Sequence, residues 1–101
     1  MSPILEIEVT PRALAHLKRA AKWWRENRFA APEAVAEDFE ASAKLLAIEP
    51  GIGTRTKSTK YPELRRLQLD RVHHHIYYHV KGSKLVVLAF WGSHRKSGLK
   101  L

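Results

Sequence analysis

The sequence predicts an α+β fold of two layers: an N-terminal strand, a helical hairpin, then a three-stranded antiparallel meander. Three observations predict it. Ile4 to Thr10 alternates apolar and acidic residues, as a half-buried strand does. Pro11 to about Arg28 and Pro32 to about Glu49 carry apolar residues at helical spacing, joined by a few residues. Leu64 to Trp91 is rich in Val, Ile, Leu, Tyr and Phe and is broken at Asp70-Arg71 and at Lys81-Gly82-Ser83. Those residue types suit a pleated surface, and the breaks are turn chemistry.

In the first strand Leu5, Ile7 and Val9 face one way and Glu6 and Glu8 the other. Thr10-Pro11 stops it and starts the first helix, with Thr10 as N-cap and Pro11 at the first helical position. Leu14, Leu17, Ala21 and Trp24 form that helix's apolar stripe, while Trp23 sits beside it and is expected to be partly exposed. Pro32 is expected in the first turn of the second helix, whose stripe is Val35, Phe39, Ser42 and Leu46, with Leu45 adjacent. Pro50 ends that helix, because the residue before proline avoids helical geometry. Gly51 to Glu63 reads as a loop.

In the meander, Leu67 and Leu69 share a face opposite Arg66 and Gln68. In the middle strand His74, Ile76, Tyr78 and Val80 point one way, and His73, His75, Tyr77 and His79 the other. The apolar face should cover the helices, with Trp24, Phe39, Leu46, Leu67, Leu69, Ile76 and Val87 largely buried. The polar face is where function is expected.

At 101 residues the chain is read as a single domain, 1–101, with a basic C-terminal tail at about 92–101. The absence of cysteine excludes disulfides and Cys-based zinc sites. Without a signal peptide or a long apolar run, a cytoplasmic location is the expectation. The net charge of +8 is unevenly placed. Residues 1–50 hold seven Lys/Arg against eight Asp/Glu; residues 51–101 hold eleven against two. A second half that basic suggests an anionic partner.

The histidines invite a metal reading, but alternation separates His74 from His73 and His75. His75 and His79 would stand about 13 Å apart in a strand, too far to share one ion. No metal and no cofactor is expected. A second constellation is Arg65, Arg66, His75, His94, Arg95 and Lys96. Arginine presents planar donors that match phosphates, and histidine exchanges protons near neutral pH. RNA cleavage by the 2′-hydroxyl needs a base, an acid and positive charge, which these residue types can supply. The same groups also suit a surface that binds protein.

The chain resembles the RelE/ParE superfamily of bacterial type II toxins over roughly residues 4 to 96. The resemblance is carried by the first strand ending at Thr10-Pro11, the helix pair closing at Ile48-Glu49-Pro50-Gly51-Ile52-Gly53, and Leu64-Arg65-Arg66-Leu67. Ile76-Tyr77-Tyr78-His79-Val80, Leu85 to Ala89 and Gly92-Ser93-His94-Arg95 complete it. It implies a toxin that inhibits bacterial growth, is neutralised by a cognate acidic antitoxin and joins it in a hetero-oligomer.

RelE-like members cut mRNA on the ribosome; ParE-like members poison DNA gyrase. The RelE-like reading places Arg66, His75, His94 and Arg95 as catalytic residues, but the late tyrosine of that pattern is missing, since none follows Tyr78. The Pro-Gly-Ile-Gly close, Leu-Arg-Arg-Leu and the Ile-Tyr-Tyr strand look more ParE-like, so the resemblance implies gyrase as target. A non-toxic nucleic-acid-binding module is the remaining alternative; no RRM or helix-turn-helix signature supports it.

Overall fold

The computed structural model describes residues 3–95 and 99–101. A short strand, β1 (Glu6–Val9), leads into α1 (Pro11–Asn27). Thr10 caps α1 through its hydroxyl, which accepts the Ala13 N–H at 3.2 Å, and Pro11 opens the helix as the sequence predicts. The helix α2 (Ala34–Ile48) begins two residues after Pro32, which lies in the turn that precedes it, not in the helix's first turn. The chain then makes a 3₁₀ turn at Pro50–Ile52.

The predicted loop contains one further element. Thr54–Arg55 pair with Arg65 and Arg66 and form a two-residue edge strand, β2. With β3 (Arg65–Leu69), β4 (His74–Lys81) and β5 (Lys84–Gly92) this gives a five-stranded sheet in the order β1-β5-β4-β3-β2. The predicted meander is its antiparallel part. β1 joins parallel to β5, with Glu6 opposite Lys84 and Val9 opposite Val87.

The β4–β5 hairpin turns at Gly82, whose φ of +61° suits a residue without a Cβ. The β3–β4 connection is longer than predicted. Asp70 to His73 form the turn, and His73 takes a left-handed φ of 54°. His73 therefore stands outside β4 and shares no strand face with His75. Histidine is among the residues that tolerate this region best.

A bulge in β5 sets its faces. Tyr77 pairs with Ala89 but Tyr78 pairs with Val87, so Leu88 is the extra residue. Leu85, Val87 and Phe90 thus join Ile76, Tyr78 and Leu69 on the helix side, where Ala13, Trp24, Val35 and Leu46 meet them. Phe39 and Leu67, predicted to be largely buried, are half-buried against this core; Phe39 meets Phe90 edge-on at 5.8 Å. The predicted stripes turn inward except at Leu14, but each is broader than predicted: Ala13 and His16 are buried while Leu14 is exposed, and Ala43 and Ala47 join Val35 and Leu46 while Leu45 is exposed. Small residues let the helices approach the sheet, and the bulkier leucines are displaced to the margins.

The opposite face is not wholly polar. Leu64, Val86 and Leu88 form a second, smaller cluster with Tyr61, Tyr77 and Leu101. Leu99 to Leu101, predicted as part of a tail, return to the body. The Arg12 guanidinium donates to the Lys100 carbonyl at 2.8 Å and the Ser58 hydroxyl to the Leu101 carbonyl at 3.1 Å.

Candidate functional site

The fold distributes the five described candidate residues over three places. Arg65 faces the helix side of β3. Its guanidinium donates to the carbonyls of Gly51 at 3.3 Å and Gly53 at 2.6 Å, bracing the 3₁₀ turn. Tyr78 completes that brace: its hydroxyl donates to the Pro50 carbonyl at 2.6 Å and accepts the Gly53 N–H at 3.0 Å. Burial pushes the Tyr78 phenol up from its usual range, so it stays a donor. A Cβ on Gly53 would fall 2.8 Å from the Tyr78 ring, which is why the turn closes on glycine.

Arg66 and His75 stand on the other face. Arg66 lies between Thr54 and Tyr77, and His75 between Gln68 and Trp91. Burial lowers the proton affinity of His75, and the positive charges of Arg66 and His74 lower it further. Its ring meets Tyr77 edge-on at 5.9 Å.

His94 and Arg95 follow the end of β5. The His94 ring lies 5.3 Å from that of His73. The Arg95 guanidinium rests 4.3 Å over Trp91. Lys96 lies outside the described residues. Among those described, no group of three or more His, Asp or Glu side chains is placed to hold a metal ion.

Several residues that the sequence reading left aside meet near His94 and Arg95. His16, buried in α1, accepts the Phe90 N–H on Nδ1 at 3.2 Å. Beyond Val87 the edge of β5 has no β1 partner, so this imidazole takes a backbone donor that would otherwise be orphaned. Burial, then Arg19, Arg12 and Arg95, lower the proton affinity of His16, keeping Nδ1 free to accept. His74 stacks on Phe90 at 4.5 Å and donates its Nδ1–H to the Val72 carbonyl at 2.7 Å, and burial lowers its proton affinity too.

Above these residues a groove of about 550 Å³ opens between α1 and the ends of β4 and β5; its walls include Trp23, Trp24, His73, Trp91, His94 and Arg95. The exposure of Trp23 was legible from its place beside the helical stripe. Arg19 and Arg28 line it too; basic residues off a helix's apolar stripe are commonly solvated, so their spacing alone does not single them out.

A family model for the ParE toxin of the type II toxin–antitoxin system, parDE, matches residues 7–97. The solved structure described as the chromosomal ParDE TA system from P. aeruginosa has the same fold, with a TM-score of 0.69 at 22% identity, over 90% of this chain and 98% of that one. No curated protein matches the chain. No described helix is long and apolar enough to cross a membrane. With the match spanning nearly its whole length, the chain belongs to the ParE toxin family of type II toxin–antitoxin systems.

Proposed function

We propose that the protein is a growth-inhibiting toxin that binds DNA gyrase, and that an acidic cognate antitoxin neutralises it. Beyond the family match, the partners the candidate residues already have support the gyrase reading over mRNA cleavage. An RNase of this type needs its base and acid on either side of one phosphate. His75 lies on a strand face with Gln68 and Trp91 across from it, and His94 packs against His73 after the strand ends. Arg65 is engaged by backbone carbonyls. Arg66, Arg95 and Lys96 are the cations proposed to meet the target, with His75 and His94 as neighbouring contacts rather than proton carriers.

The antitoxin reading draws on charge and exposed apolar surface. The second half of the chain carries eleven Lys/Arg against two Asp/Glu. The helical hairpin leaves Leu14, Leu45 and Ile48 exposed, with Ile48 at 55%. An acidic segment that folds on binding would cover such a surface through a helix laid on the hairpin or a strand added to a sheet edge.

The test measures gyrase supercoiling with purified protein and mRNA integrity in cells expressing it. Supercoiling should be lost while mRNA stays intact. His75→Gln and His94→Gln should keep toxicity, whereas Arg66→Gln and Arg95→Gln should weaken it, less so at raised salt, where the lost attraction is already screened. Cleavage of mRNA within codons, abolished by either His→Gln change in a protein that remains folded, would replace the gyrase reading with the RelE-like one.

A further inference from the structure

We propose that the groove between α1 and the ends of β4 and β5 binds single-stranded nucleic acid, with an unpaired base on its aromatic wall and the flanking phosphates on Arg19, Arg28 and Arg95. The inference does not rest on the gyrase reading. Three features carry it.

The first is the wall. Trp23 from α1 and Trp91 from β5 border a groove of about 550 Å³, floored by the buried Trp24 and Phe90 and within the size range of small-ligand sites. Trp23 remains 50% exposed at the lip. A large flat ring left in water beside a groove is an available stacking surface, and stacking on such rings accepts any base.

The second is the charge. Arg19, Arg28 and Arg95 line the groove and no carboxylate does. The ion pairs among the described residues lie elsewhere, as in Arg71 with Asp38 at 2.7 Å and Lys84 with Glu8 at 3.3 Å. Two of the three groove arginines lie over indoles: Arg28 is 5.0 Å from the centre of a Trp23 ring and Arg95 is 4.3 Å from that of Trp91. A guanidinium stacked by its face keeps N–H groups at its edge for phosphate oxygens.

The third is the polarity of the lining. The indole N–H groups of Trp24 and Trp91 are shielded and have no partner among the described residues. With the arginines they make a lining rich in donors, complementary to phosphates and to the acceptor edges of bases. Inorganic phosphate alone would leave the aromatic wall uncovered. A duplex would keep its base faces stacked and out of reach. An acidic peptide would offer isolated carboxylates, whereas a nucleic-acid strand offers a phosphate on each side of every ring.

The experiment titrates the full chain with short oligo-dT and oligo-U, reading tryptophan fluorescence. Duplex DNA of equal length, inorganic polyphosphate and an acidic peptide serve as competitors. The oligonucleotides should quench the fluorescence and bind about tenfold or more tighter than duplex or polyphosphate. Trp23→Ala should weaken them about tenfold. Arg28→Gln and Arg19→Gln should each reduce the slope of log affinity against log salt by about 0.7.

All three side chains belong to exposed residues, and unchanged circular dichroism establishes that each variant is folded. Should one variant misfold, the other two decide. Equal binding of polyphosphate or duplex, an unchanged affinity in folded Trp23→Ala, or preferential capture of the peptide would overturn the assignment. The assay contains no gyrase, so its failure leaves the gyrase reading untouched.

Discussion

The two faces of the β4–β5 pair are built from neighbouring residues of the same strands, yet they are closed by different means. On the helix side Ile76, Tyr78, Val87 and Phe90 are covered by two helices and lie at 2% exposure or less. On the other side Val86 and Leu88 are just as apolar, but their cover is a loop with Tyr61, Leu64 just before β3, and the last residue, Leu101. The first face is sealed by regular elements that bring many side chains at once. The second is sealed by segments with few backbone hydrogen bonds of their own. Stability should therefore reside on the helix side, and ease of opening on the other.

Deleting a side chain from each face tests that contrast most strongly. Ile76→Ala should cost about 2–5 kcal/mol, since a fully buried residue leaves a cavity among rigid neighbours. Leu88→Ala should cost clearly less, because the loop can settle into the space. Chemical denaturation of both variants checks this, and equal losses would mean that the two faces are equally rigid.

A smaller effect is expected from Tyr78→Phe. The change leaves the Gly53 N–H and the Pro50 carbonyl without their partner, at about 1–3 kcal/mol. It should also expose the 3₁₀ turn to hydrogen exchange while the far face is unaffected. A loss of protection on both faces alike would show that they are mechanically coupled.

Removing Leu101 sharpens the comparison from the other side. About 1 kcal/mol is expected for one partly buried leucine. The change should appear as greater exposure of Tyr61 and Tyr77 to solvent quenchers, with Trp24 unaltered. Quenching of Trp24 as well would contradict the separation.

The smallest effect is expected from mild acid. Burial is the first cause lowering the proton affinity of His16, His74, His75 and His79. The unfolded chain therefore takes up protons first as pH falls through the ordinary value of 6.5. Their contribution is complete above that value and declines below it. Partial solvation of three of the four screens the penalty. His16 differs, because protonating Nδ1 would remove the acceptor of the Phe90 N–H. Thermal melts at about pH 8 and about pH 5.5 should differ, and His16→Gln should reduce the difference. A melting temperature that rises in acid would reverse the sign of this argument.

The sequence by itself determined the elements and their kind. Thr10-Pro11 as a helix start, Pro50 as a helix stop and Gly82 at the hairpin are local chemistry, readable because one residue's backbone preference decides each. The alternation of Leu67, Leu69, Ile76 and Tyr78 placed them on one face because a strand's period leaves no other choice. Tertiary structure alone decided what depends on fit between elements. The depth at which α1 settles, with Ala13 inside and Leu14 outside, follows from how closely the helix approaches the sheet. The parallel partnership of β1 with β5 joins segments some seventy residues apart, and no local signal encodes it. Likewise His73 left the strand when the turn lengthened, Arg65 came to brace the 3₁₀ turn, and Arg19 and Arg28 came to the groove beside Arg95. Which charges end up together is set by packing over distances at which sequence spacing carries no geometry.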